Sequence, residues 1–351
     1  MQRNLKFVSN LIPWYRKNAR DLPWRRTKDP YKIWISEIML QQTTVNAVIP
    51  YYQRWIKEFP TVYDVAQARS QKILKSWQGL GYYSRARNIH KAAKIICQKY
   101  QGKLPADPQR IRGLPGFGPY TTGAVLSIAF GKKLPIIDAN VRRVVMRILA
   151  IEGHADPSQD GPINEFLAKI IPNKNVGDFN QALMELGALI CRGREPLCLS
   201  CPVRQFCSAY QKGIQEIIPT PKKNIVKDLN VAAGILRRDG HYFIQKRPST
   251  GLLADLWEFP GGKIEKDETP QEALRRELKE EIDVDIEAVD FFMNVVHFYT
   301  QFRVKIHVFI CQTKSYPQAN DTRKWVTLRE LSQFPMPSGS VKIVERLISS
   351  Y

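Results

Sequence analysis

The chain has 351 residues, 44% apolar and 25% charged, which suits about two soluble, core-forming domains; no apolar run approaches the ~18 residues of a bilayer span and no secretory segment is evident. The net charge of +20 is unevenly placed, with 33 Lys and Arg against 15 Asp and Glu in residues 1–220 and 20 against 18 in residues 221–351. A basic first part joined to a near-neutral second part predicts a polyanion as partner of the first, and six cysteines without a signal peptide predict a reducing compartment, the cytoplasm, beside the nucleoid in a bacterial cell.

The first 20 residues are basic and acid-free, a composition shared with transit peptides, but Trp14, Tyr15 and the Leu22-Pro23-Trp24 turn read as folded, mature protein. Helix-period apolar residues between turn signals predict helices over Tyr31–Val48, Gln71–Leu80, Arg85–Tyr100, Thr121–Phe130, Val141–Ala150 and Pro162–Ile171. Residues 212–228, with Pro219, Pro221 and Lys222-Lys223, lack a long period and read as a linker. Beyond it Val231–Arg237, Tyr242–Lys246, Val289–His297 and Val304–Cys311 read as strands, and Thr269–Glu281 as a single helix. The predicted plan is multidomain: an all-α part over 1–211, then an α+β domain over 229–351.

Four motifs carry chemistry. In Trp34–Thr43 (Trp-Ile-Ser-Glu-Ile-Met-Leu-Gln-Gln-Thr), ~100° per residue puts Trp34, Ile35, Ile38 and Met39 on the core face of a helix and Glu37 on the other side, beside Ile33 and Leu40. A carboxyl among apolar neighbours holds its proton tightly, as a general acid requires; a solvated glutamate is the plain alternative. Leu114-Pro115-Gly116-Phe117-Gly118-Pro119-Tyr120 sits between two helices. Its glycines permit a tight turn that exposes backbone N–H groups at a helix N-terminus, a ready phosphate site. Cys191-x6-Cys198-x2-Cys201-x5-Cys207 brings four thiolates within 17 residues. Thiolate-only ligation suits an iron–sulfur cluster, with zinc as the alternative, and Arg192, Arg194 and Arg204 between the ligands offer charge to phosphate. Cys97 and Cys311 stand outside the pattern and read as packed thiols. In the second domain, Gly262-x5-Glu268-x7-Arg276-Glu277-Leu278-x-Glu280-Glu281-x-Asp283-Val284 puts Glu277, Glu280 and Glu281 on one helix face. Three converging carboxylates suit Mg²⁺ bridging to a pyrophosphate.

The cysteine spacing resembles that of the endonuclease III and MutY DNA glycosylases, and the Gly116–Gly118 turn resembles the helix-hairpin-helix of the same superfamily. The Glu37 stretch closely resembles the MutY adenine glycosylases, and the likeness covers nearly all of residues 5–210. It implies an all-α helix-hairpin-helix glycosylase with a [4Fe–4S] loop, built from a six-helix module over about 22–135 and a cluster module from 1–21 and 136–211. It also implies a monomer acting on double-stranded DNA with adenine opposite 8-oxoguanine or guanine. By position, Glu37 protonates the leaving adenine, Asp138 supports the cationic sugar or bonds to it covalently, and Asn140 contacts the sugar region. Read alone, Asp138 is an N-cap. Endonuclease III-like lyases carry a nucleophilic Lys directly after the hairpin; Tyr120 stands there, which implies a monofunctional enzyme without strong strand cleavage. Leu22, Trp24, Arg25 and Leu40 match residues around the flipped adenine, although core packing accounts equally well for Trp24 and Leu40. Gln181 matches a variable pocket position. Gln41, Gln42 and Thr43 match a DNA-contacting run, Gln42 and Tyr82 matching residues that push into the duplex.

The acidic motif resembles a Nudix box, with Asp283 in place of its last Gly, and implies a Nudix-like domain. In MutY proteins such a domain senses 8-oxoguanine, whereas Leu256–Lys263 looks more like the pyrophosphohydrolase MutT. The MutY lesion-reading tripeptide matches Tyr299, Thr300 and Gln301, which keep the hydroxyl but lose the His. The Asn by which MutT reads its base falls on Ser338. Lesion sensing is the favoured reading, with hydrolysis of 8-oxo-dGTP as an additional activity and a non-catalytic DNA-binding scaffold as the non-enzymatic alternative.

Overall fold

The computed structural model describes residues 2–222, 226–299 and 301–350. The chain resolves into two compact units, residues 1–67 with 91–223, and residues 68–90 with 224–351. The helices of the first part are α1 (Gln2–Asn18), α2 (Pro30–Leu40), α3 (Val45–Glu58), α4 (Val62–Gln67), α5 (Ser70–Ser76), α6 (Ser84–Tyr100), α7 (Pro108–Arg112), α8 (Pro119–Phe130), α9 (Ala139–Leu149), α10 (Asp160–Ile170), α11 (Val176–Leu189) and α12 (Ser208–Gln211). Helix α5 and the first turns of α6 are grouped with the second unit.

Two departures from the expected helices bear on function. The helix expected over Tyr31–Val48 is two helices, broken at residues 41–44. Gln41 leaves helical geometry at ψ 115°, Gln42 takes φ +55°, and Thr44 is extended at ψ 148° as the N-cap of α3. The Thr43-Thr44 pair is the physical reason: β-branched hydroxyl residues disfavour a helix interior, and Thr43 Oγ1 turns to the Gln41 carbonyl, 3.4 Å away. Gln41, Gln42 and Thr43 therefore lie on a loop instead of the helix. Second, α2 has no polar face: Tyr31 and every residue from Ile33 to Met39 are buried, Glu37 included. A helix buried all round belongs to a core, and the apolar sequence of α8, buried from Thr121 to Ile128, is its neighbour. A further core joins α1, α9, α10 and α11 through Phe7, Leu11, Val145, Leu167, Phe179 and Leu186. The absent Cβ of Gly187 permits α11 to come that close, since one built there would stand 2.6 Å from the Asn140 Cβ.

In the second unit the strands are β1 (Lys227–Arg238), β2 (His241–Lys246), β3 (Trp257–Glu258), β4 (Gly261–Lys263), β5 (Ala288–Tyr299), β6 (Phe302–Gln312) and β7 (Arg323–Thr327). They run β3-β2-β1-β6-β5, with β4 beside β1 and β7 beside β2. Strand β1 is parallel to β6 and antiparallel to β2 and β4. Its alternation sends Ala232 and Leu236 to one face, under α13 (Pro270–Ile282), with Ala273, Leu274 and Leu278. It sends Ala233 and Ile235 to the other, under α15 (Ser338–Ser349), with Ile343 and Leu347. One helix was expected here; α14 (Leu328–Leu331) and α15 are additional. Helix α13 starts from a capping box of Thr269 and Glu272, and ends on Asp283 at φ 53°, a left-handed turn that Asp tolerates. The unexpected grouping of 68–90 with this domain rests on hydrogen bonds to loop backbone. Lys75 Nζ donates to Phe334 O at 3.2 Å, Tyr83 Oη to Met336 O at 3.3 Å, Arg87 Nη1 to Ala254 O at 2.8 Å, and Met336 N donates to Gln78 Oε1 at 3.2 Å.

Candidate active site

Three residues predicted from separate motifs meet in the first unit. Glu37 comes from α2, Tyr120 from the first turn of α8, and Asp138 from the N-cap of α9. The Tyr120 hydroxyl donates to Glu37 Oε2 at 2.6 Å and lies 3.5 Å from Met184 Sδ on α11. Burial pushes Glu37 up to about 7; the Tyr120 bond opposes this, the Asp138 charge adds to it, and Arg25 opposes it. Burial, then the Glu37 and Asp138 charges, raise Tyr120 well above an ordinary phenol, so it stays a neutral donor.

Asp138 is an N-cap, as its position before a helix allows: Oδ1 accepts from Val141 N at 2.6 Å. Its Oδ2 accepts from Asn140 Nδ2 at 2.9 Å. Asn140 Oδ1 in turn accepts from Arg143 Nη2 at 2.9 Å, and Arg143 also donates to the carbonyls of Gly187 and Cys191, each at 2.8 Å. The two carboxylates thus differ in setting. Asp138 has both oxygens fixed by N–H donors, while Glu37 is held by one neutral hydroxyl.

The residues matched to an adenine pocket scatter more in kind. Leu22 and Trp24 are buried, Trp24 edge-on to Tyr52 at 5.3 Å. Leu40 is half-buried at the end of α2, and Gln181, buried on α11, donates to Gly177 O at 3.3 Å. Gln41 Nε2 donates to Thr121 Oγ1 at 3.1 Å, tying the 41–44 loop to α8. Arg25 donates through Nη2 to Glu185 Oε2 at 2.6 Å and through Nη1 to the Arg20 carbonyl at 3.0 Å. Glu185 is a residue that the sequence did not single out; within an apolar run of α11 it carried no periodic signal. In the hairpin, Gly116 takes φ +82°, the left-handed turn that needs glycine, but Gly118 sits at φ −74° with open space where a Cβ would stand. Backbone geometry therefore explains only the first. Phe117 between them is buried and stacks on Trp34 at 5.3 Å.

The four cysteines surround one cavity of about 30 Å³, together with Arg147, Arg204, Tyr210 and Gln215. Among the described residues no three His, Cys, Asp or Glu converge on a point that would hold a single ion. Arg147, buried, donates from Nη1 to Cys191 Sγ at 3.3 Å, and Gln215 Oε1 is buried there with no partner. Burial pushes Cys201 up to about 12 and raises Cys198 and Cys207, so thiolates at these positions need a cationic centre between them. The donor set fits a cluster.

In the second unit a cavity of about 630 Å³ is lined by Glu258, Glu277, Glu281, Arg247, Gly262 and Tyr299 among others. Glu280, 61% exposed and 3.4 Å from Arg276, is not part of that lining. Sequence reasoning passed over Arg247 and Glu258, which form a bidentate pair at 2.7 and 2.8 Å. Burial pushes Glu258 up to about 7 against the pull of Arg247, and burial also raises Glu281, which accepts from Gln245 Nε2 at 2.6 Å. Arg276 grips Glu268 at 2.7 and 3.0 Å and so ties the box loop to α13. A second cavity, of about 330 Å³, is lined by residues 79–84, Arg87, Gly251–Leu253, His297–Tyr299 and Ser338. Tyr82 there has φ +47° and is 40% exposed; Phe298 is 63% exposed. The Tyr299 hydroxyl accepts from Gly339 N at 2.8 Å, Gln301 is exposed, and Thr300 lies outside the described residues.

Residues 35–173 match the HhH-GPD superfamily of base excision DNA repair proteins, and residues 231–346 match the NUDIX domain family. The adenine DNA glycosylase of Buchnera aphidicola subsp. Schizaphis graminum (strain Sg) is 33% identical over 344 residues, 97% of this chain and 98% of its own. That of Homo sapiens is 35% identical over 332 residues, 78% of this chain and 60% of the human protein. Among solved structures, a thermostable thymine-DNA glycosylase aligns with TM-score 0.54 and 32% identity over 60% of this chain and 98% of its own. An endonuclease III trapped as a covalent DNA intermediate aligns with TM-score 0.51 and 25% identity over 59% and 95%. With one relative matched end to end and both domain families in order along the sequence, the chain belongs to the adenine DNA glycosylases, DNA N-glycosylases of the HhH-GPD base excision repair superfamily that here carry a C-terminal Nudix-like domain.

Proposed function

We propose that this chain excises adenine mispaired with 8-oxoguanine or guanine from duplex DNA and does not strongly cleave the strand. The observation that carries the reading is the buried Glu37 carboxyl, held by the neutral Tyr120 hydroxyl at 2.6 Å and titrating near 7. Such a group is roughly half protonated at neutral pH, where an ordinary glutamate is not, and can give the proton to a base entering the pocket. Glu37 protonates the extruded adenine as the bond from the sugar C1′ to the ring nitrogen breaks and its electron pair leaves with the base. Asp138, its oxygens fixed by Val141 N and Asn140, faces the positive charge left on the sugar. Water then adds to C1′ and loses a proton. No lysine follows the hairpin, and Tyr120 cannot form a Schiff base.

Cys191, Cys198, Cys201 and Cys207 would hold a [4Fe–4S] cluster, which supplies a covalent cross-link for the 191–207 loop and its arginines. Basic residues of the first unit and the Gly116–Gly118 turn grip the phosphates, while Gln42 and Tyr82 enter the duplex. The cavity shared by Tyr82 and His297–Tyr299 supports lesion sensing by the second unit. A second reading, that the same domain hydrolyses 8-oxo-dGTP with Mg²⁺, is supported by Glu258, Glu277 and Glu281 around the larger cavity.

The test is to incubate the purified protein with duplexes carrying A opposite 8-oxoguanine, G, C or T. Adenine release from the first two is expected, and no release from the first overturns the reading. Borohydride trapping of a Schiff base would overturn the monofunctional part. Mg²⁺-dependent loss of pyrophosphate from 8-oxo-dGTP, abolished by Glu281→Gln, would establish the second reading.

A further inference from the structure

One sheet face of the second unit is covered over only half its length. On the side where α13 packs, Ala232, Leu236, Phe309 and Cys311 are buried with the apolar residues of that helix. Towards the hairpin that joins β5 to β6, the same side is open to solvent among the described residues. Antiparallel pairing sets Phe298 beside Arg303 and Val296 beside Lys305. Parallel pairing extends these two rows to Asp228 and Asn230 on β1. Strand alternation sends all six to one face, since their neighbours Val295, Val304 and Ile306 are buried on the other. Phe298 is 63% exposed and Val296 40%, the Arg303 side chain is 54% exposed, and Lys305 is exposed. In the next row, burial and then the Lys305 charge lower His307, which leaves Arg303 and Lys305 as the cations of this face. Its one acid, Asp228, is 70% exposed and 3.7 Å from Arg303, a loose pair.

Exposed apolar side chains on one strand and cations on the next give a surface suited to a ligand that is both flat and anionic. We infer that this half-face binds a DNA strand, with Arg303 and Lys305 on neighbouring phosphates and Phe298 against a sugar or base. The two cations stand two residues apart on one strand, hence ~7 Å from each other, and both are free to swing toward a backbone. Phe298 also lines the cavity of about 330 Å³ that holds Tyr82, so the face runs on from the place proposed for lesion sensing. That continuity selects DNA over an acidic protein segment. The inference rests on the reading that the second unit meets the damaged duplex. It adds contacts that position the strand and carry no information about the lesion.

The test is salt-dependent binding of the full chain to two duplexes that offer no mispaired adenine, one with 8-oxoguanine opposite C and one undamaged. The double variant Arg303→Gln, Lys305→Gln should flatten the slope of log K against log salt concentration by about 1.8, and each single change by about 0.9. Lys314→Gln, 89% exposed and beyond the end of β6 away from the hairpin, should leave the slope unchanged. Phe298→Ser should weaken binding by about five-fold or more with the slope kept. Asp228→Asn removes the acid of the face and should tighten binding. Single-turnover adenine release from an A:8-oxoguanine duplex at saturating protein should be the same in every variant, with folding checked by thermal melting. A folded double variant that keeps the wild-type slope overturns the inference and leaves the face to a protein partner. An equal flattening by Lys314→Gln marks a general effect of charge and overturns it too. If the double variant does not fold, Asp228→Asn decides: binding no tighter than wild type overturns the inference. Equal wild-type affinity for the two duplexes overturns the lesion-sensing reading, whereas slope changes seen on both duplexes uphold the backbone contact.

Discussion

Each unit holds a glutamate that desolvation pushes up to about 7, yet the two sit in opposite settings. Glu37 is enclosed by apolar residues of α2 and bonded by one neutral hydroxyl, with Asp138 as the nearby like charge. Glu258 is half-buried, its side chain 19% exposed, and meets the Arg247 fork head-on at 2.7 and 2.8 Å. Burial sets the first-order shift in both; the partner decides what it is for. A neutral partner leaves a proton to be given away, whereas a cation or a metal ion makes the same carboxyl a ligand. Under the proposed function the first unit is arranged for acid catalysis and the second for holding charge.

Loss of the Glu37 proton should cost most. Glu37→Gln keeps the shape and removes the transferable proton, and adenine release is expected to fall by roughly 10²–10⁴-fold with duplex binding retained. Retained excision would make Glu37 as inert as an ordinary buried carboxyl. Asp138→Asn keeps an N-capping oxygen but removes the charge that faces the sugar, so a loss of about 10²–10³-fold with little change in melting temperature is expected from single-turnover rates. Tyr120→Phe should shift the pH profile without abolishing function. The hydroxyl bond lowers the Glu37 pKa, so its removal raises it. The protonated acid then persists to higher pH, and the alkaline fall of the rate profile should move upward; a downward move would mean that Tyr120 acts otherwise.

In the second unit, Mg²⁺ should raise the melting temperature by a few degrees through Glu277 and Glu281, and Glu281→Gln should remove that rise while leaving adenine excision unchanged. The smallest effects lie in the hairpin. Gly116→Ala, forced to φ +82°, should cost ~1 kcal/mol in denaturant unfolding. Gly118→Ala, which meets open space, should leave stability unchanged and weaken duplex binding if phosphate approaches there.

Much of this was legible along the chain because it is local. The cysteine quartet, the hairpin and the acidic box each lie within a short run, and their residues meet through one loop or one helix face. The single glutamate of α2 was legible as chemistry but not as geometry: the apolar moment put it on the outer face, and only packing against α8 buried it. The 41–44 loop was missed because a helical period continues across it, and the Thr pair that ends α2 is a weak signal against that period.

Residue types at fixed short spacings along the chain mark the two domain families, the cysteine quartet, the absence of a lysine directly after the hairpin and the acid candidates. Only folding brings particular carboxyl groups and their partners near one another. Glu37, Tyr120 and Asp138 come from three separate elements, and Glu185 reaches back across α11 to Arg20 and Arg25. Glu280, on the expected face of its helix, turns to solvent while Glu258 from a distant strand takes a place at the cavity. Protonation state depends on desolvation and on neighbours brought together by folding, and no spacing along the chain encodes either.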